Sequence, residues 1–486
     1  MNMKLLNNIL RDVSVHTIIG DDKISIKKVS FDSNKCEKDT LFFAIKGSVL
    51  DGHKFIDNAI SSGATAIVCE ELPIQLKSNI TYIKVLEVRK ALGIVSSNFF
   101  DHPSKKIKII GVTGTNGKTT IATLLFNLFR GLGYSCGLIS TIENRINDLV
   151  LPSNSTTPDC LKINELLSQM ILNDCKVCFM EVSSHGIKQQ RISGINFSFA
   201  VFTNISRDHL DYHKNLEDYI LTKKKFFDDL HQDSIAVINK DDKYGEKMVS
   251  NCKSKKIFYS VDSEKSNHKV EILKNTFSGL EIKIDGQVLK TSIIGFFNAY
   301  NLLAIYAVAI RIHEIEKDVL RGLERLENIL GRLNVIKSKN SIYAIIDYAH
   351  SPGAVENIFK AILNIKKPTQ KIITVIGCGG NRDVGKRPMM GSISYSNSDI
   401  SIFTADNPRD EDIMKIINEM SQQLKEEKSK KLFKIKDRRK AIKEAVQLAT
   451  TNDIVLILGK GHEKYQEIKG EKFPFDDYKV LENVLK

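Results

Sequence analysis

Nowhere in its 486 residues does the chain carry an apolar run near the roughly 18 residues that a membrane-spanning helix needs. Its Met1 to Val15 segment mixes charge with apolar residues instead of forming the apolar stretch of a signal peptide. A soluble, cytoplasmic protein with no membrane insertion is expected. Cysteine is scarce, 8 residues at uneven spacings, which excludes a disulfide framework and fits reduced thiols. The single CxxC, Cys175-Lys176-Val177-Cys178, runs into Phe179-Met180 and reads as core cysteines instead of a redox or zinc pair. Tandem repeats, low-complexity segments and long linkers are missing. So is a basic arm: Lys+Arg 71 against Asp+Glu 58 leaves a net charge of +13, but the cations are scattered. They gather only in short groups such as Lys223 to Lys225 and Lys430-Lys431. No basic stripe is interleaved with aromatics, so no nucleic-acid partner is expected.

What the chain does have is length enough for about three domains, each with its own core. Its central feature is Gly111-Val112-Thr113-Gly114-Thr115-Asn116-Gly117-Lys118-Thr119-Thr120, between the apolar run Ile107 to Ile110 and the helical pattern Ile121 to Phe126. Strand, glycine loop and helix in that order cradle phosphates. Backbone N–H groups and the helix N-terminus face the anion, Lys118 adds a cation, and the Thr119 hydroxyl can ligate Mg2+. The strict P-loop pattern places a glycine where this chain has Val112, so the loop is a variant.

Around this loop, strands alternate with helices, as a mostly parallel sheet covered on both faces requires. The expected organisation is α/β in three parts: residues 1–104, a small N-terminal domain; 105–330, a central nucleotide-binding domain; and 331–486, a C-terminal domain. Ligands in such sheets gather at the carboxyl ends of strands. Polar clusters follow apolar runs in that way at Glu181 to Gly186, Thr203 to His213, Asp347 to Pro352, Gly377 to Asp383, Asp406 to Arg409 and Gly459 to Glu463. Glu181 and a neutral His209 suit a divalent ion. Arg382, Asp406, Asn407, Arg409 and Glu463 combine guanidinium forks with carboxylates, a mixture that suits an amino acid; surface ion pairs at loop ends are the competing reading. On the helical pattern Asp218 to Leu230, Lys223 falls within the apolar stripe of Tyr219, Ile220, Phe226 and Phe227, with Lys224 and Lys225 pointing elsewhere. It is either a snorkelling lysine or a buried, reactive amine.

Taken together, Thr113-Gly-Thr-Asn-Gly-Lys-Thr119, Glu181-Val-Ser-Ser-His185, Asp208-His-Leu-Asp-Tyr-His213, Gly295-Phe-Phe-Asn298 with Asn301, and Asp347-Tyr-Ala-His350 resemble the Mur ligase family. These are ATP-dependent enzymes that build the peptide stem of the bacterial cell-wall precursor. The resemblance spans essentially the whole chain and implies a central P-loop-type domain followed by a Rossmann-like C-terminal one. It implies that Ser33, Thr156, Thr157, Ser183, Gln189 and Arg191 hold UDP-MurNAc-L-Ala-D-Glu, and that Gly114, Thr115, Asn116, Gly117, Lys118, Thr119 and Thr120 hold ATP. It implies Lys118, Glu181, His209 and Lys223 as catalytic residues. Mg2+ is then held by Thr119, Glu181, His209 and a Lys223 carbamylated by CO2. Arg382, Asp406, Asn407, Pro408, Arg409, Gly459 and Glu463 match the amino-acid site, and Asp406-Asn407-Pro408-Arg409 looks like the form that takes meso-diaminopimelate. There Arg409, left without the substrate's second carboxylate, is expected to be an unpaired charge, disfavouring lysine. The implied chemistry is amide synthesis through an acyl phosphate, by a monomer with small-molecule partners only. A lysine-adding ligase, a folylpolyglutamate synthase-like ligase and a mechanical P-loop NTPase are the alternatives. Two departures stand out: Asn34 where the family has arginine, and Leu333-Asn334 where it has Met-Glu.

Overall fold

The computed structural model describes residues 3–47, 50–424 and 431–485; Met1, Asn2 and Lys430 of the basic pair lie outside the described residues. Near-continuous apolar runs such as Thr40–Phe43 and Ala64–Cys69 are suited to strands covered on both faces. They form a five-stranded sheet in the spatial order Val15–Ile19, Thr81–Val85, Ala64–Cys69, Thr40–Phe43, Lys28–Ser30. Its first pair is antiparallel and the rest parallel. The helix Val88–Phe99 packs its apolar stripe, including Val88, Leu92, Val95 and Phe99, into the core of this sheet.

The central sheet has eleven strands. Its parallel core runs, in space, Cys136–Ile139, Val177–Glu181, Lys108–Thr113, Phe199–Phe202, Ile235–Asn239, Lys255–Ser260, His268–Thr276. Helices Lys118–Gly131 and Phe297–Ala309 pack on one face. Helices Cys160–Leu172 and Leu216–Asp228 cover the other. Strands that follow Lys108–Thr113 are added first on one side of it and later on the other. The loop leaving its carboxyl end therefore opens at a switch point, where ligands of α/β sheets bind. Cys175 and Cys178 are both buried.

Antiparallel ribbons extend this sheet at both margins, Glu143–Ile146 with Leu149–Pro152, and Gly279–Ile284 with Gln287–Thr291. The alternation in Leu280-Glu281-Ile282-Lys283-Ile284 followed by Asp285-Gly286 carries the hairpin signal: Asp285 and Gly286 take φ of 45° and 90° and close a two-residue turn. The third sheet runs Asn334–Lys337, Tyr343–Asp347, Ile454–Leu458, Ile372–Ile376, Ile400–Phe403, Lys431–Lys434. It is parallel after its first pair. The late strand Ile454–Leu458 enters between two earlier ones, which parts their carboxyl-end loops and creates a second crevice.

Candidate active site

Val112 explains itself once the strand is seen to run on to Thr113. It is buried and sits in ladder register with Glu181 and Val201, so the first glycine of the turn comes at Gly114, two residues later than the strict pattern places it. Gly114 has φ +148°, and a side chain there would run into Thr203. Gly117 has φ +88°, and a Cβ there would lie 2.8 Å from Asn301 Oδ1. Both positions therefore require glycine. The helix starts at Lys118, whose ammonium folds back to donate to Gly114 O (3.0 Å) and Thr115 O (2.8 Å). Lys223 donates to the same Gly114 O at 2.9 Å and lies 4.7 Å from the Tyr219 ring centroid. Lys223 is 1% exposed. Burial pushes the pKa of both lysines down, that of Lys223 strongly, and each is further lowered by a neighbouring cation. Of its helix neighbours, Lys224 is itself buried and paired with Asp228 at 2.6 Å.

The next strand ends bind this loop to a polar network. Buried Glu181 accepts from Thr119 Oγ1 at 2.9 Å and from Thr141 N at 2.7 Å. Thr157 Oγ1 donates to Glu181 O and accepts from Ser183 N, both at 2.9 Å. Thr141 Oγ1 donates to Thr156 Oγ1 at 3.0 Å. Arg191 donates to Thr157 O (2.7 Å) and, by two nitrogens, to Gln189 Oε1 (2.8 and 3.1 Å). Gln189 in turn donates to Tyr212 OH at 3.2 Å. His185 and His209 meet edge to face with ring centroids 4.9 Å apart, and burial lowers both pKa values to about 4, so both imidazoles are neutral at pH 7.

The third sheet turns its loops toward the same space. Arg332 Nη2 donates to Thr119 Oγ1 at 3.2 Å while its guanidinium covers the Tyr348 ring at 4.8 Å. Buried Asp347 holds the preceding loop by accepting from Leu333 N (2.8 Å) and Ala349 N (2.7 Å). Asn407 Nδ2 donates to Glu463 Oε2 at 2.9 Å. Beyond Glu463 a hairpin, Tyr465–Ile468 with Glu471–Pro474, pairs with Arg409 through the main chain. Arg409 N donates to Glu467 O (3.0 Å), and Lys469 N to Arg409 O (2.9 Å). The Arg409 side chain is not an unpaired charge: Nε donates to Glu467 Oε2 at 3.0 Å and Nη1 to Gly380 O at 2.7 Å. No sequence pattern points to this partner, because Glu467 stands on a hairpin strand of mixed polarity. His209, Leu333 and Arg409 all hold positive φ, at 53°, 47° and 50°, so left-handed backbone gathers around one site.

These groups face one cavity of about 1270 Å3. Thr115 to Thr120, Thr156, Thr157, Glu181, Ser183, Arg191, His209, Lys223, Arg382, Asp406, Asn407, Arg409, Gly459 and Glu463 line it. Gly114, Gln189 and Pro408 back it without lining it, and Ser33 lies on the first sheet's side of the chain, accepting from Asn58 Nδ2 at 2.9 Å. Asn58 also donates to Asn34 Oδ1 at 3.3 Å, so the departure at Asn34 sits beside Ser33. Arg332, Lys460 and Glu467 were missed as site residues. Lys460 stands within Gly459 to Glu463 and Arg332 directly precedes Leu333-Asn334, but nothing in the pattern says which side chains there turn inward.

Among the described residues no three His, Cys, Asp or Glu side chains converge as a metal cage. Mg2+ asks for less, one or two protein oxygens beside phosphate and water. The Thr119 hydroxyl on the Glu181 carboxylate, with neutral His209 nearby, fits that requirement. No helix among the described residues is long and apolar enough to cross a membrane.

Comparison with known proteins gives three matches in order along the chain: "Mur ligase family, catalytic domain" over residues 25–100, "Mur ligase middle domain" over 112–309, and "Mur ligase, glutamate ligase domain" over 331–461. The UDP-N-acetylmuramoyl-L-alanyl-D-glutamate--2,6-diaminopimelate ligase of Cytophaga hutchinsonii is 46% identical over 481 residues, covering 99% of both chains. The enzyme of the same name from Bacteroides fragilis is 47% identical over 480 residues, again covering 99% of each. A solved structure of a ligase with that name superposes with a TM-score of 0.71 at 29% identity, covering 100% of this chain and 99% of that one. MurF ligase from Thermotoga maritima in complex with ADP shares the fold, with a TM-score of 0.62 at 19% identity over 94% of this chain and 97% of its own. With three family models in sequence and full-length relatives well above the level at which chains of this size share a family, the chain belongs to the Mur ligase family.

Proposed function

We propose that the protein is a monomeric, cytoplasmic ligase that uses ATP to join meso-2,6-diaminopimelate to the D-glutamate of UDP-MurNAc-L-Ala-D-Glu in peptidoglycan precursor synthesis. The observation that carries this reading is the single cavity joining the phosphate loop at Lys118 to the acid, amide and guanidinium cluster at Asp406 to Arg409 and Glu463. The relatives' printed activity supports the choice of substrates.

Amide formation from a free carboxylate is uphill in water, so the carboxylate must be activated. The D-glutamyl side-chain carboxylate attacks the γ-phosphorus of ATP, the bond to the β-phosphate oxygen breaks, and ADP leaves an acyl phosphate. Lys118 and the loop amides from Thr115 to Thr120 neutralise charge on the transferring group. The diaminopimelate amine then attacks the activated carbonyl, phosphate departs, and the amine proton is lost as the amide forms. Thr156, Thr157, Ser183 and Arg191 hold the acceptor peptide; Gln189 acts through Arg191. Mg2+, held by Thr119, Glu181 and His209, supplies Lewis-acid neutralisation of phosphate when bound. Burial, and Lys118 beside it, lower the Lys223 pKa and so favour the free amine, the form that adds CO2. As a carbamate it becomes a carboxylate-like ligand for the same ion.

Arg409 and Arg382 take the distal carboxylate of diaminopimelate, and Glu463 with Asp406 takes the ammonium beside it. Because Glu467 already neutralises Arg409, discrimination against lysine is weaker than an unpaired guanidinium would impose. That one contact favours the second reading, a ligase that also accepts lysine. The deciding experiment is phosphate release by purified protein with Mg-ATP and the UDP-dipeptide, with meso-diaminopimelate, lysine or glutamate added in turn. Diaminopimelate-dependent release with kcat/KM at least about tenfold above lysine is expected. No tripeptide product with any amino acid, while a control ligase makes it, overturns the proposal.

A further inference from the structure

Lys460 belongs to none of the roles described so far, yet it is a fully buried cation directly beneath the amino-acid end of the cavity. Its ammonium donates to Asn407 Oδ1 and to Glu463 Oε2, both at 2.9 Å, and stands 3.8 Å from Asp406 Oδ1. The main-chain N–H of Glu467 also donates to Asn407 Oδ1, at 3.0 Å. The chemistry of these partners settles which way the Asn407 amide faces. An ammonium and a peptide N–H can only donate, so the atom turned to them is the oxygen; a carboxylate can only accept, so the atom turned to Glu463 is the nitrogen.

We propose that Lys460 is a positioning residue of the amino-acid site, which fixes the Asn407 amide and thereby aims Glu463. This rests on the function proposed above and deepens it. Asn407 Oδ1, with two donors, has no lone pair left for a substrate ammonium. Glu463 Oε2, accepting from both Asn407 Nδ2 and Lys460, is filled in the same way, and Oε1 is the oxygen that remains for substrate. The charges agree: two carboxylates and one buried ammonium leave a single negative charge, the complement of one ammonium group. Gly459 completes the arrangement, since a Cβ there would come within 2.6 Å of Asp406 Oδ2.

Steady-state kinetics of the full-length protein, varying each substrate in turn, test this. Lys460→Met is expected to raise the KM for meso-diaminopimelate by about tenfold or more, through loss of a buried partner to two acceptors. The KM values for ATP and the UDP-dipeptide are expected to stay within about twofold, and kcat at saturating amino acid within about threefold. An equal fall in kcat with unchanged KM, or a joint rise of all three KM values, overturns the proposal. Asn407→Asp gives an independent reading that needs no change at Lys460. With the amide pinned as described, it places a third carboxylate against Glu463 and raises the same KM; if Asn407 Oδ1 instead met the substrate ammonium, the added charge would lower it. The wild-type arm separates this proposal from the one beneath it: should the protein prefer another amino acid, the function is wrong, and the same shifts are read with the amino acid it takes.

Discussion

Lys223 places an ammonium group where burial opposes charge and the nearest cation, Lys118, opposes it again. Conversion to a carbamate would replace the repulsion from Lys118 with attraction and supply an anion beside the phosphate loop. Lys223→Ala is therefore expected to lose most activity and to regain part of it in millimolar acetate or formate; wild-type-like rates without added acid would remove the carbamate. His185 and His462 give a second prediction at this scale. Burial lowers their pKa values to about 4 and about 3, below the roughly 6.5 of an unfolded histidine. Between those values the unfolded chain binds protons that the folded chain refuses, so stability is constant above about pH 6.5 and falls as pH drops below it. Thermal melts at pH 7 and pH 5 at fixed ionic strength should show the loss, and His462→Gln should reduce it. A charge on an apolar stripe made Lys223 legible in the sequence. Lys460 stood in view as the second residue of Gly459 to Glu463, but its burial depends on what the Asn407 loop packs against it.

Two helices meet at one buried ion pair. Arg438 opens Arg438–Leu448 and Asp477 opens Asp477–Leu485, and neither side chain is exposed. Arg438 donates to both Asp477 oxygens, at 2.8 and 2.7 Å, and to Leu458 O at 3.0 Å. The pair thus anchors the end of the strand from which Gly459 enters the cavity. Breaking it leaves a buried charge without its partner: Arg438→Met is expected to cost about 3–5 kcal/mol in denaturant unfolding, and Arg438→Met with Asp477→Leu much less. At this scale the parallel strands were legible because long apolar runs end in polar loops. The marginal ribbons were not, since strands as short as Glu143–Ile146 carry too few alternating positions to stand out from loop.

Over the whole molecule, the loops of two sheets share one cavity, and a direct side-chain link spans them: Arg332 to Thr119. That bond ties the third sheet's entry loop to the hydroxyl at the start of the phosphate-loop helix. Arg332→Ala is expected to lower kcat by about a hundredfold while leaving thermal stability little changed, because it loosens the alignment of nucleotide and amino acid. Single-turnover phosphate release and melting temperature, measured side by side, check both halves. Three α/β units and the family were legible from ordered motifs. Which loops would face one another was not, because hydrophobic periodicity records a strand's own faces and nothing about the sheet across a cleft.

The main-chain pairing of Arg409 with the Tyr465–Ile468 strand has a consequence for how such an enzyme changes over time. The hairpin behaves as a cassette. Its backbone docks on the Asp406 to Arg409 loop, with the Gln466 amide donating to Asp406 O at 2.8 Å, while position 467 sets how much of the Arg409 charge is left for the substrate. A lineage can therefore retune which amino acid enters the cell wall by drift in a surface ribbon, leaving every residue that touches phosphate as it was.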